Sequence, residues 1–416
     1  MARLVETVVP ARLGIRFRWL LASSWTTNLG DGIALAAGSL LVASLTTDAF
    51  LVSLAALLRW APPLLFGLYA GVLSDRKDRR LIVVVANLAR AVVLAVIVVL
   101  LLTRTLTVGA ALAGLGLIAV SEVFADNTTQ TLLPMLVDRD DLALANARLQ
   151  TGFLTLNQMA GPPIGAALFA AGRAWPFAME TVLVVAGVLL VLPIRLPPHG
   201  REPGVASSVR RDVAEGVRWT LRHPAIRTLA LTILVFNVTF GAAWSVLVLY
   251  AKQRLGLGPV GFGLLATVSA VGGILGTSAY GWITRRVSLG DIMRVGLVIE
   301  TLTHLALALT RSAWFASAVL LVFGAHAFIW GTTGVTVRQR AVPTELQGRV
   351  SGVYVLAVYG GLVVGSAVGG ALANRHGVTA PFWFAFVGSA VFLVALWREL
   401  TRIAHDQEPS DADMPA

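Results

Sequence analysis

The chain contains no cysteine, so disulfides, thiolate metal ligands and thiol redox chemistry are excluded. Histidine is scarce, with 6 residues scattered so that no His/Asp/Glu spacing points to a metal site. Lysine is scarcer still: Lys77 and Lys252 are the only two. No G-x-x-x-x-G-K-[ST] loop and no nucleophile–base pair is present, which argues against nucleotide-driven pumping and against catalysis. Charge is the most telling shortage. Only 13% of the 416 residues are charged, while 56% are hydrophobic. A soluble chain of this length has too much surface to wet at that ratio.

What is present is a series of apolar runs of membrane-spanning length. They are expected at 17–45, 48–73, 80–103, 107–134, 143–172, 174–195, 225–252, 259–284, 289–310, 313–341, 346–374 and 379–399. The expected fold class is therefore an all-α polytopic membrane protein. The opening "MARLVETVVPARLGIRFRW" lacks a short apolar core before a small-residue cleavage site, so no cleaved signal peptide is expected. The net charge of +11 would suit a nucleic acid, but the basic residues alternate between loops instead. One side carries clusters such as Arg12, Arg16, Arg18 and Arg76, Lys77, Arg79, Arg80. The other carries about one per loop, as at Arg104, Arg173 and Arg311. The positive-inside rule then puts both termini and the middle loop in the cytoplasm. An Arg- and Ala-rich chain suggests a bacterium, with the inner or plasma membrane as its location.

Four segments follow: a bundle of six helices at 1–195, a linker at 196–224, a second bundle of six helices at 225–400 and a polar tail at 401–416. The linker opens "LPPHGREPG" and continues "RRDVAEGVRWTLRHP", where Val213, Val217 and Leu221 share a face with Trp219 at its edge. This reads as an amphipathic helix on the inner membrane surface, or as a plain tether. The halves echo each other in order. "YAGVLSDR" aligns with "AYGWITRR", "TQTLLP" with "RQRAVP", and "GPPIGAAL" with "GSAVGGAL". Two six-helix halves around a midplane path is a transporter plan.

The stretch "GVLSDRKDRR" (71–80) packs four basic and two acidic residues between two apolar runs. Gly71 offers a close helix approach, and Asp75 can accept bonds from a helix N-terminus or from Arg79 and Arg80. A purely topogenic cluster would need only the arginines. The stretch resembles the signature G-x-L-a-D-r-x-x-R-[RK] of the major facilitator superfamily. Its D-R-x-D-R-R form is similar to a branch of drug, macrolide and siderophore exporters, as are "LPMLVDRDDLALANA", "RDVAEGVRWTLRHPAIR" and "VPTELQGRVSGVY". The likeness covers essentially the whole chain. It implies a twelve-helix fold and a gating motif of Gly71, Asp75, Arg76, Arg79 and Arg80. It also implies a partner for Asp75 near 344–349, where "TELQ" reads as a capping box. Asp78 departs from the common glycine and opens a further salt bridge. "GPPIGAAL", with Gly152 upstream, resembles the exporters' fifth-helix motif, here Gly152, Gly161, Pro162 and Gly165, with a bend at the proline. The Arg motif that many proton antiporters carry in the fourth helix is not evident; that span has Glu122.

Charges inside the spans are the sharper clue. Asp31 and Arg59 lie roughly 20 Å from the cytoplasmic ends of the first and second spans, so they are expected to pair. That pair is either a static salt bridge or a proton-exchanging one. Arg90 falls at a similar depth to Glu122 and Asp126. Glu300 and His304 share a face of the ninth span, and His326 lies in the tenth. A substrate cavity is expected at Trp25, Asn28, Asn157, Gln158, Phe236, Asn237, Phe240, Glu300 and Trp330, a lining of aromatics and amides suited to a bulky, partly apolar solute. The expected activity is proton-coupled export of a small molecule by a monomer, with the lipid bilayer and protons as partners and neither cofactor, metal nor nucleic acid. A nutrient importer and a lipid flippase or scramblase on the same scaffold are the alternatives.

Overall fold

A computed structural model describes residues 11–194, 209–343, 346–397 and 399. The Thr344–Glu345 part of the expected capping box, most of the linker, the polar tail and the side chain of Asp75 lie outside the described residues.

The described residues form helices and connecting turns without strands. The first group is α1 (Gly14–Leu45), α2 (Ala49–Arg76), α3 (Arg79–Leu102), α4 (Val108–Leu136), α5 (Leu142–Gly152), α6 (Gly161–Ala171) and α7 (Trp175–Val191). Then come α8 (Val209–Arg222), α9 (Pro224–Trp244), α10 (Leu247–Gln253) and α11 (Pro259–Ile283). The chain ends with α12 (Leu289–Leu309), α13 (Ala313–Ala341), α14 (Gln347–His376) and α15 (Ala380–Leu396). Where the connections are described, short turns divide them, and several helices start on a small polar cap. Asp48 accepts from the backbone N–H of Phe50 and Leu51 at 2.8 and 3.1 Å, opening α2. Asp78 accepts from Leu81 N–H at 3.2 Å, and Thr107 from Ala110 N–H at 3.2 Å. Each cap satisfies donors that the first helical turn leaves without a partner.

Among the described residues, nine helices are long and apolar enough to cross a membrane. The apolar α7 and α15 have 17 residues each, a rise of about 26 Å, close to the thickness of a bilayer core. On α3, Leu81, Val85, Leu88, Val92, Val96 and Val99 form an exposed stripe, while Arg79, Asn87 and Arg90 are buried on the inner side. A helix with apolar residues outside and arginine inside is stable in lipid and not in water.

Two spans are interrupted where continuous ones are expected. The seventh breaks at Ser245–Val246, between α9 and α10. The fifth is α5, a π-helical stretch Phe153–Ala160, and α6. Pro162 lacks the N–H that an α-helix needs, and just before it Gly161 N–H bonds back to Leu156 C=O, five residues away. The bend expected at the proline is thus a widened turn preceding it.

The chain divides into two compact units. The first takes in the described part of 1–201 together with 256–267; the second takes in the described part of 202–255 and of 268–416. In the first, α1 packs on α6 and α7, α2 on α4, and α3 on α4 and α7. In the second, α9 packs on α14 and α15, and α12 on α13 and α15. The repeat read from sequence has a structural counterpart. A Cβ at Gly161 or Gly165 would strike the backbone of Gly32 or Ile33 on α1; one at Gly365 or Gly369 would strike Val238 or Ala242 on α9.

The amphipathic α8 packs on the start of α14 and on α9. Gly216 rests on the Arg349 carbonyl, Glu215 pairs with Arg349 at 3.1 Å, and Trp219 packs with Ile226, Val342 and Val350. Val217 and Leu221 stay exposed, which leaves an apolar edge beside the exposed Arg218 and Arg222.

Candidate functional site

Asp31 sits on α1 between Gly30 and Gly32, and both glycines have a packing reason. A Cβ on Gly30 would meet the Glu180 side chain at 3.4 Å, and one on Gly32 would strike Asn157 and Gly161. The two glycines let α7 and the fifth span close in on either side of the acid.

Asp31 pairs with Arg90 of α3 and not with Arg59, as the sequence led us to expect. Arg90 is 2% exposed and reaches acids on three helices. Its Nη2 contacts Asp31 Oδ1 on α1, Glu122 Oε1 on α4 at 3.2 Å, and Glu180 Oε1 on α7. Its Nε also donates to Glu180 Oε1, at 3.2 Å. Arg59 lies over the Trp60 ring at 5.4 Å, with its Nε buried and lacking a hydrogen-bond partner. Two arginines lie at similar depth, and packing of α3 against α7 and α4 brings Arg90 to the acids. Asp126, grouped with Glu122 in the sequence, is exposed on α4 and makes no ion pair among the described residues.

Glu180 was missed in the sequence reading. It stands in "WPFAMETVLVV", an acid inside an apolar run, the same signal that marked Asp31. Its carboxylate is fully buried, and Oε2 has no hydrogen-bond partner. Carboxylate oxygens of Asp31, Glu122 and Glu180 lie within 4.8 Å of one another, a spacing that suits a hard cation. The Arg90 guanidinium already supplies positive charge there.

The expected cavity residues fall into two sets. In the first unit, Trp25 donates from Nε1 to the Arg148 carbonyl at 3.1 Å and packs against Gly152. Asn28 donates to Ser24 O at 2.8 Å, and Gln158 donates to Asn157 Oδ1 at 2.6 Å. In the second unit, Phe236 stacks on Trp330 with centroids 5.6 Å apart, and Phe240 stacks on Trp244 at 4.3 Å and Phe323 at 5.7 Å. Asn237 donates to Ile233 O at 2.8 Å. Glu300 and Trp330, expected on a cavity wall, are 1% and 2% exposed in the packed interior of the second unit. Glu300 is joined there by His304 and His326, its Oε1 2.9 Å from His304 Nε2.

This arrangement holds charge buried among apolar helices, and comparison with known proteins gives it a family. Residues 6–416 match the transmembrane secretion effector family of the major facilitator superfamily. The chain belongs to this family. It is a membrane transporter and not an enzyme. The family member is 27% identical to the multidrug efflux pump Tap of Mycolicibacterium fortuitum over 382 residues, covering 87% of this chain and 90% of Tap. It is 27% identical to the enterobactin exporter EntS of Salmonella typhimurium over 67% of each chain. It is 22% identical to macrolide efflux protein A of Streptococcus pyogenes, over 84% of this chain and 87% of that one. Among solved structures, the nucleoside transporter NupG matches with TM-score 0.72 at 12% identity, covering 95% of this chain and all of NupG. A bacterial homologue of the iron transporter ferroportin matches with TM-score 0.74 at 17% identity, over 93% of this chain and 99% of that one. These two likenesses establish the fold alone.

The transporter's 71–80 stretch joins three helices of the first unit. Arg79 is buried; its Nε donates to Ser74 O at 3.0 Å and its Nη1 to Thr131 O at 2.9 Å, tying α2 and α4 at the start of α3. Arg76 is exposed and Arg80 half-buried. Asp78, expected to open a salt bridge, instead caps α3. Gly71 faces open space, so the close helix approach expected there is not made; its repeat partner Gly281 is likewise open. Gly152, Gly161, Pro162 and Gly165 are all buried, and the three glycines abut Trp25, Gly32 and Ile33 of α1.

Proposed function

We propose that this transporter exports a bulky, partly hydrophobic small molecule from a bacterial cell, driven by protons taken up on the acids around Arg90. One observation carries the reading: a single buried guanidinium serves carboxylates from three helices. With every acid ionised, the Asp31–Glu122–Glu180–Arg90 group would hold two more negative charges than positive. Excess charge in a dry interior is costly, and holding protons is the cheapest way to cancel it. The number of protons held then depends on which oxygens face Arg90 and which face water. That makes a proton count that changes as the two units alternate access.

The substrate class draws on the relatives, whose names are those of drug, macrolide and siderophore exporters. The charge bias of the loops supports a plasma-membrane protein with both termini cytoplasmic. Gly71, Asp75, Arg76, Arg79 and Arg80 form the gating stretch, acting by making and breaking contacts at the cytoplasmic ends of helices. The transporter works as a monomer.

The test is uptake into inverted vesicles with labelled macrolides, siderophores and lipophilic drugs, with and without an imposed proton gradient. Gradient-dependent accumulation of one or more compounds is expected, together with substrate-induced proton release from the lumen. Accumulation in the opposite orientation alone would make the chain an importer. Gradient-independent movement of labelled lipid would make it a scramblase.

A further inference from the structure

The second unit holds a buried titratable cluster that the scheme above does not use. We propose that Glu300, His304 and His326 form a proton-binding site built wholly from second-unit residues. Both imidazoles aim Nε2 at one carboxylate: His304 lies 2.9 Å from Oε1, and His326 lies 3.6 Å from Oε2. All three side chains are at most 2% exposed. Glu300 Oε2, His326 Nε2 and His304 Nδ1 are buried without hydrogen-bond partners. Gly296 makes the assembly possible, since a Cβ there would meet Trp330 at 2.6 Å and His326 Nδ1 at 2.9 Å.

Charge balance gives the site its ligand. An imidazole nitrogen facing a carboxylate oxygen must carry hydrogen, because two lone pairs would otherwise oppose each other. With both imidazoles neutral in that tautomer, the cluster has a charge of −1. Among the described residues no cation pairs with it: Arg254, just after α10, is spent on the carbonyls of Ala308, Leu309 and Thr310 at the end of α12, Lys252 is exposed, and α11, packed on α13 through Gly272 and Gly276, brings only Tyr280, whose hydroxyl accepts from Thr333 at 3.4 Å. On α12 itself, Asp291 and Arg294 pair with each other at 3.7 Å near the helix start. On α13, Arg338 lies twelve residues beyond His326, over the Tyr354 ring at 4.4 Å. From α10, the Tyr250 hydroxyl donates to Leu307 O at 2.6 Å. The described part of α15 carries no titratable residue. From α9 come Phe236 and Trp244, whose ring centroids lie 6.0 Å from His326 and 6.3 Å from His304. The ionisable residue of α9, Arg227, precedes Phe236 by nine residues, a rise of about 13 Å, and lies in the first turn of the helix.

One added proton makes the cluster neutral. It also bears on packing. Placed on Nδ1 of His326, that proton gives the ring a full charge opposite the carboxylate and strengthens the Nε2–H approach to Oε2, now 3.6 Å, across the α12–α13 contact. Protonation is thereby linked to how two helices of the second unit sit on each other.

The full-length protein in nanodiscs, labelled with 15N-histidine, tests this. His304→Gln and His326→Gln assign the two resonances among the 6 histidines. Infrared difference spectra follow the carboxyl C=O stretch across the same pH series. We expect one coupled titration step shared by both imidazoles and the carboxyl. Glu300→Gln, which keeps the shape and removes the charge, should abolish the carboxyl change and uncouple the imidazoles. Two imidazoles that stay neutral at every pH where the fold persists, with no carboxyl signal, would overturn the proposal. So would resonances that respond to added Zn2+ but not to pH, which would make the cluster a metal site. Should Glu300→Gln not fold, the wild-type titration decides: separate, uncoupled imidazole steps count against the site.

Discussion

Arg90 approaches Glu180 through both Nε and Nη2, and both contacts end on the same oxygen, Oε1. Glu180 Oε2 stays buried and without a partner. The same Nη2 also serves Asp31 and Glu122, so the guanidinium is overcommitted and the carboxylates compete for it.

This makes the two arginines at midspan unequal. Arg90→Met strands three acids and should cost about 3–5 kcal/mol, the usual penalty for breaking a buried charge group. Arg59→Met removes a side chain that makes no ion pair among the described residues, stacked on Trp60, and should stay within about 1 kcal/mol of wild type. Thermal unfolding of both variants in detergent, followed by size-exclusion recovery, measures the contrast. Equal losses would mean that Arg59 shares the counter-ion role with Arg90.

Asp31→Asn removes one of three acids and leaves Arg90 with Glu122 and Glu180. Folded yield should therefore hold, with a stability change of about 1 kcal/mol or less. Substrate should still bind while gradient-driven export falls to the level seen without a gradient. Full proton-driven export by a stable Asp31→Asn protein would move coupling away from this residue.

Two glycines with similar sequence credentials should behave oppositely. Gly161→Val pushes a side chain into the Gly32 backbone and should cost about 1–3 kcal/mol or abolish folding. Gly71→Ala points into open space and should change stability by under about 0.5 kcal/mol. Any transport defect in Gly71→Ala would then report a conformation in which another helix comes close. A fold defect there would contradict the open surroundings.

The absence of native cysteine makes topology simple to test. Ser207→Cys should resist an impermeant maleimide in intact cells and react after lysis. Arg173→Cys should react in intact cells. Reversal of both would place the middle loop outside.

Much of this was legible in the sequence because lipid leaves few options. An acid or arginine in an apolar run has to be enclosed, and Asp31, Arg90, Glu122 and Glu300 could be picked on that basis alone. Glycines at close helix contacts were legible for the same reason in the 161–168 and 365–372 repeats. Partner choice was not. Depth along a helix says which charges can meet, but rotation about the helix axis decides which do, and Asp31 had two arginines in reach. The cap role of Asp78 was hidden because an aspartate between two arginines looks like a salt-bridge residue. Only the turn geometry turns it onto its own backbone.

The widened turn at Phe153–Ala160 has a consequence for phase. Gly152 and Gly161 both abut α1, against Trp25 and Gly32. They are nine residues apart, which at about 100° per residue is two and a half turns of regular α-helix, so an unbroken helix would point them in opposite directions. The π-helical stretch unwinds that half-turn and brings both glycines to the same seam. Removing a single residue between 153 and 160 would restore ordinary winding and rotate one glycine out of the seam. The spacing of the fifth-span motif is therefore tied to a helix that is deliberately out of step with itself, and loops elsewhere should tolerate length changes that this span does not.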